Sequence, residues 1–180
     1  MLKLKSIGIN RIADLQFYDP VDALPAYKAI AQLHAFGAVD DLGQLTREGR
    51  FMASLPCDPR YAAAIHDAVA RGCALQVAKI AAMVEIGWPF LPNATDAEKA
   101  PFAVVQGDHM AFLNVFISFE KNNMSSRWCP KYGLNYAVLE KANRLYESIV
   151  ARLKSGSPEF SSKKQDGKDH VAIRKSILIG

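Results

Sequence analysis

Few residues in this chain are suited to chemistry. Asp108 and His109 stand side by side at the front of the stretch 107-GDHMAFLNVFISFEKNN-123. An Asp-His pair is half of a catalytic relay, in which a carboxylate orients an imidazole that acts as base. No nucleophile can be assigned to it, and the GxSxG turn is absent. Asp40 and Asp41 are adjacent, so their side chains diverge, and a turn explains them better than paired acid–base work. The histidines His34, His66, His109 and His170 have no zinc-site spacing, and HExxH is missing. Cys57, Cys73 and Cys129 are far apart, odd in number and form no CxxC, which points to a reducing compartment. Without GxxxxGK[ST] or an acidic box for magnesium, the chain has no nucleotide-hydrolysing centre of its own.

Charge points to a partner more than to a reaction. The formal net charge is +4 over 180 residues. Residues 1–100 hold ten Lys/Arg against eleven Asp/Glu, and residues 101–180 hold twelve against seven. The positive excess lies wholly in the second part, where a phosphate-bearing partner would touch. A solvated basic tail is the plainer alternative. No apolar run reaches the length of a membrane span, so no membrane partner is expected.

The elements that must position these residues are mostly helices. Asp19-Pro20 reads as a turn, and a helix is expected over 21–36, with Leu24, Tyr27, Ile30, Ala31, Leu33 and Ala35 on its apolar side and Gly37 as its stop. Asp41-Leu42-Gly43 makes a turn, Gln44-Leu45 a short strand, and Thr46 caps the next helix. Helix, helix, short wing, helix is the order of a winged-helix module. At 56-PCDPR-60 the chain breaks, with Asp58 as cap and Pro59 at the first helical position. Helices over 59–71 and 73–86 form an antiparallel pair about Gly72. The long connection 87–106 has room for a short helix over 94–100.

Asp108 is expected to cap a helix over 109–121, with Phe112, Val115, Phe116 and Phe119 on one side and Leu113 broadening it. A last long helix runs over about 134–153, with Leu139, Ala142, Ile149 and Leu153 in its apolar stripe and Lys141, Arg144, Arg152 and Lys154 on other faces. Residues 155–170 read as a linker, and 171-VAIRKSILIG-180 turns apolar again, as if it packs against something that follows.

Several stretches together resemble the C-terminal helicase-associated region of DEAH-box RNA helicases. They are LKSIGI with FYDP, 33-LHAFGAVDDLGQLTREGRFMASLPCDPR-60, 72-GC-73, 97-AEKAPF-102, 107-GDHMAFLNVF-116 and 126-SRWC-129. They follow the family's order and cover about residues 1–154. The resemblance implies a mainly α fold: a small winged-helix module over 1–58, a ratchet-like helical bundle over 59–154, a flexible linker over 155–170, and at 171–180 the start of an OB-fold domain not contained in this chain.

It also implies a role. Such a region forms the far wall of a single-stranded RNA channel and packs on RecA-like motor domains and the OB-fold domain of the same parent protein. ATP and Mg2+ belong to those motor domains, and no cofactor or metal is expected in this chain, which is expected to be inactive alone. Asp108, His109, Asn114, Asn122, Arg127, Lys141 and Arg144 are the candidate RNA-binding residues. The alternative is a protein-interaction scaffold that binds motor domains or a G-patch activator with little RNA affinity. The family setting is intracellular, in the nucleus or cytoplasm, with the nucleus preferred.

The chain departs from the family pattern where Tyr132 and Gly133 replace an Asn and an aromatic, and where Ala137, Glu140 and Tyr146 replace basic residues. Phosphate grip depends on such charge. Trp128 is read as a packing anchor, and Asn114 either as an outward contact or as a buried structural one.

Overall fold

The computed structural model describes residues 1–10, 22–156, 160 and 169–180. The expected turn at Asp19-Pro20, the FYDP stretch, Val21, and residues 157–159 and 161–168 of the expected linker lie outside the described residues.

The first part is built from α1 (Leu2–Ser6), α2 (Ala23–Ala35) and α3 (Arg47–Ser54). Between α2 and α3 the chain makes a minimal wing, a single antiparallel bridge from Val39 to Leu45. The turn is closed by Asp40, whose Oδ1 accepts from Leu42 N at 3.0 Å and Gln44 N at 2.8 Å. Buried Lys5 on α1 donates to Gly43 O at 2.7 Å and to Asn10 O at 3.2 Å, which pins the wing turn from behind. Thr46 caps α3 as expected: its Oγ1 accepts from Gly49 N at 2.9 Å and donates to Gly37 O at 2.7 Å. Gly49 has to be glycine, because a Cβ there would stand 1.9 Å from the Ala38 carbonyl oxygen.

The expected apolar side of α2 is mostly open. Leu33 is buried, whereas Leu24 is 64% and Tyr27 71% exposed. Leu33 lies on the last turn, where Gly37 reverses the chain over the core. None of the described helices packs extensively on the earlier turns of α2.

The second part is a helical bundle centred on α5 (Ala74–Ile86), which packs against α4 (Pro59–Arg71), α7 (Asp108–Lys121), α8 (Tyr136–Gly156) and α9 (His170–Ile177). Its sequence is apolar nearly all round, as a helix surrounded by others must be: Ala74, Val77, Ala78, Ile80, Ala81, Ala82 and Met83 are all buried. Asp58 caps α4 by accepting from Arg60 N at 2.9 Å, with Pro59 at the first position.

The connection to α7 is ordered by a capping box between Thr95 and Glu98, which opens the short helix α6 (Asp96–Lys99). A 3-10 turn over Ala100–Phe102 follows and drives the Phe102 ring among Phe90, Trp128 and Tyr132. The bridge Phe90–Leu134 ties this connection to the lead-in of α8. Gly133 sits in that lead-in at φ +58, with the space of a Cβ already filled by Ala94 at 2.6 Å. Only glycine meets both conditions.

Three details differ from the sequence reading. Gly107, at φ +98, occupies the N-cap of α7, and Asp108 is the first helical residue with no side-chain capping bond. Its carboxylate still stands at the positive end of the helix dipole. Helix α8 begins at Tyr136 because Leu134 is held in the bridge to Phe90, and Asn135 Oδ1 accepts from Ala137 N at 3.1 Å and Val138 N at 3.4 Å. The apolar segment after residue 170 is the helix α9, folded back onto α4 and α5 with Ile173 and Ser176 buried. Ser176 Oγ donates to Asp67 Oδ2 on α4 at 2.7 Å.

Candidate nucleic-acid interface

Helix α7 carries most of the candidate residues, and its 14 residues separate its two ends by ~20 Å. Five buried side chains hold it down: Met110, Leu113, Val115, Phe116 and Phe119. Glu120 turns inward to Lys79 of α5 at 2.6 Å, and that ammonium lies over the rings of Phe116 and Tyr146. The register of α7 is therefore fixed, and with it the direction of everything at its ends.

At the first end Asp108 is exposed and His109 is half-buried. The His109 ring lies 6.3 Å from that of Tyr61, with Nε2 and the phenol oxygen 3.2 Å apart. A cavity of about 410 Å³ opens beside it, roofed by Val171, Arg174, Ile177 and Leu178 of α9 and its C-terminal turn. Among the described residues no Ser, Thr or Cys lines that cavity.

Asn114, midway along α7, is half-buried and aims Nδ2 at the Phe102 carbonyl at 3.5 Å, a weak bond that joins α7 to the 3-10 turn.

At the far end Asn122 closes α7, donating from Nδ2 to Ser118 O at 2.8 Å. Asn123 and Met124 follow at φ +54 and +53, two successive left-handed residues. They swing the chain around into 125–128 and leave an open cleft of about 730 Å³. Its lining includes Lys121, Asn122, Asn123, Arg127, Trp128 and Tyr136, and no carboxylate among the described residues. Among the described residues neither Lys121 nor Arg127 forms an ion pair. In contrast, Arg60, Arg71, Lys79 and Arg144 are each matched to an acid. Trp128 packs against Phe102, Phe119 and Tyr132, so one side of it is core while the rest borders the cleft.

Lys141 and Arg144 are exposed on α8, ~7 Å and ~12 Å along the axis from Tyr136. Arg144 is bound to Glu140 at 2.7 Å, one turn back.

The candidates thus fall into groups. Asn122 and Arg127 share a cleft, Lys141 and Arg144 are exposed further along α8, Asp108 and His109 stand at the opposite end of α7, and Asn114 is half-buried against the 3-10 turn. Lys121 and Tyr136 belong to the cleft but were not singled out in sequence. The signal for them was Asn122-Asn123: asparagine tolerates the left-handed backbone that ends a helix and turns the next segment alongside it.

Nucleophilic and metal chemistry gain nothing from the geometry. Burial pushes the Cys57 thiol up to about 12, with Glu85 and Asp58 adding to it, and burial also raises Cys73 and Cys129. Among the described residues no three His, Cys, Asp or Glu side chains gather to hold a metal ion. No helix among them is long and apolar enough to cross a membrane.

Comparison with known proteins bears on the family of the chain. Residues 29–57 match the family model of the winged-helix part of the helicase associated domain, and residues 58–112 match that of its ratchet-like part. The chain is 31% identical over 186 residues to a probable ATP-dependent RNA helicase, a DHX35 homolog, of Caenorhabditis elegans. That alignment covers all of this chain and 25% of the relative's length. Residues 29–112 thus match the helicase associated domain, winged helix followed by ratchet-like part, consistent with the C-terminal region of a DEAH-box helicase.

Proposed function

We propose that this region acts as an accessory wall of the RNA channel in a DEAH-box ATP-dependent RNA helicase. It contacts single-stranded RNA and packs on the RecA-like motor domains and OB-fold domain of the same protein, in the nucleus or cytoplasm. The motors would use ATP and Mg2+, and this chain's residues would position the strand. The observation that carries the reading is the pair of exposed cations Lys121 and Arg127 in one cleft, with Lys141 and Arg144 exposed further along α8. Such a set suits a polyanion, and Asn122 adds an amide beside it. Asp108 and His109 lie at the other end of α7, where they would meet a strand only after it has crossed the helix.

The test is fluorescence anisotropy with a labelled single-stranded RNA, from low to physiological salt, on wild type and Arg144→Ala. The expected result is affinity that falls with salt, through counterion release, and falls further with the substitution. A folded, monomeric sample that binds no RNA at low salt overturns the reading.

A second reading is a scaffold for motor domains or a G-patch-type activator, with little RNA affinity. Two observations favour it: Glu140 already occupies Arg144, and α2 displays Leu24, Tyr27 and Ile30. An exposed apolar row of this kind fits a protein surface better than a phosphate backbone. The absence of binding at low salt would select it.

A further inference from the structure

The cleft at the end of α7 differs from the basic face of α8 in holding aromatic groups beside its cations. From this we infer that it is a one-nucleotide subsite: Tyr136 receives a base, while Lys121 and Arg127 take the adjoining phosphate. The inference rests on the RNA-channel reading and assigns a separate task to one place within it.

Three features carry it. The first is charge. Lys121 and Arg127 line the same cleft, and among the described residues no carboxylate lines it and neither cation has an acidic partner. Two unmatched cations facing one opening favour an anion between them. The reason is local: Glu120, next to Lys121, is turned to Lys79, and Glu140, one turn beyond Tyr136, is turned to Arg144.

The second is the aromatic surface. Tyr136 is 37% exposed, and Phe119 supports it in an edge contact at 6.1 Å between ring centroids. A ring braced on one side and open on another loses little entropy when a base stacks on it. Trp128 borders the same opening, held by Phe102 and Tyr132. Stacking of a base on an aromatic ring is tolerant of sequence, because every base has a π-face.

The third is size and polarity. The cleft holds about 730 Å³ and offers Asn122, Asn123, Ser125 and Ser126 around its rim. These amides and hydroxyls can donate to and accept from a base edge or a ribose hydroxyl, the contacts by which an unstacked nucleotide is held. The cavity at the other end of α7 has Gln106, His109, Arg174 and Lys175 beside Met110, Val171, Ile177 and Leu178, so among the described residues it offers one amide and no hydroxyl.

The experiment uses the 180-residue chain and two fluorescein-labelled probes: the uridine 12-mer U12 and a 12-mer ribose-phosphate strand without bases. Tyr136→Leu should weaken U12 binding by about tenfold and leave the base-free strand within about twofold. Tyr136→Phe keeps the ring and should restore U12 binding. Lys121→Ala with Arg127→Ala should weaken both probes and flatten the slope of log K against log salt by about 1.4, the mark of two released counterions on a single strand.

The subsite is overturned if Tyr136→Leu weakens both strands equally, or neither, in a variant whose circular dichroism and melting match wild type. It is also overturned if the cleft variants bind U12 like wild type while Lys141→Ala with Arg144→Ala does not. In that case the RNA reading stands with α8 as its surface. If wild type binds neither strand at low salt, both readings fall.

Discussion

One helix builds both ends of α7, yet the ends differ. At His109 the polar group has met protein: the imidazole faces Tyr61, and α9 roofs the neighbouring cavity with Val171, Ile177 and Leu178. At Lys121 the cations have no acidic partner among the described residues, and the cleft beside them is polar. Glu120 contributes to the difference. Were its carboxylate directed outward, it would add a negative charge to the surface near the cleft. It points instead into the bundle, to Lys79 at 2.6 Å. The lesson is that polar residues at a helix end make a candidate site only where the fold withdraws their counter-charge. The sequence shows polar residues at both ends, and packing decides which end keeps its charge available.

The largest effect should follow from cutting that inward pair. Lys79→Ala leaves a partly buried carboxylate without its cation and removes the ammonium from the faces of Phe116 and Tyr146. Urea unfolding should show a loss of about 2–4 kcal/mol, somewhat below the range for a fully buried pair. Glu120 is then free to turn outward and add negative charge near the cleft, so the variant that remains folded should also bind RNA less well. Lys79→Met combined with Glu120→Gln should recover much of the stability, since no ion is stranded. If Lys79→Ala unfolds at the wild-type urea concentration, the pair does not hold the register of α7 and the contrast between its ends needs another cause.

Charge reversal compares the ends directly. Lys121→Glu with Arg127→Glu should lower affinity for single-stranded RNA by more than about tenfold at 50 mM salt, since two phosphate contacts become two repulsions. Arg174→Glu with Lys175→Glu, beside the His109 cavity, should cost less than about threefold, the effect of net charge alone. Equal losses in the two pairs would mean that the strand follows the whole basic half and not the cleft.

How much of this was legible in sequence depended on how local each determinant is. Thr46, Asp58 and Gly72 act on the few residues next to them, so the starts of α3 and α4 and the end of α4 were readable from cap chemistry alone. Asp108 looked like a cap of the same type, but Gly107 took the position, at φ +98, a backbone conformation that glycine adopts freely. The apolar row on α2 was visible in sequence, whereas its exposure was not, because exposure depends on which elements come to lie against it. The cleft was half legible: Asn122 and Arg127 stood out as polar groups near a helix end. Tyr136 did not, because it joins them only through the bridge Phe90–Leu134 and the turn at Gly133. Such non-local registration leaves no periodicity to read. Gly133 has a reason in the structure, since Ala94 occupies the space a side chain would need.

The smallest effect concerns the roof over the quieter end. Ser176 Oγ donates to Asp67 Oδ2 at 2.7 Å, the polar link that fastens α9 to α4, and Arg71 binds the same carboxylate. Burial acts to raise the Asp67 pKa, but the hydrogen bonds from Arg71 and Ser176 outweigh it and hold the carboxyl below its usual range. A depressed carboxyl contributes stability that is complete above the ordinary carboxylate pKa of about 4 and is lost as pH falls below it, toward the lower folded value. Ser176→Ala should therefore cost about 1 kcal/mol at pH 7. The cost should shrink below about pH 4 as Asp67 is protonated in both proteins. Amide hydrogen exchange can localise the effect: protection should fall in α9 and the last turns of α4 and stay unchanged in 121–136. A penalty of the same size at pH 7 and pH 3 would mean that the hydroxyl serves packing alone. Faster exchange at 121–136 would couple the two ends of α7, and the cleft would then depend on the roof at the opposite end of the helix.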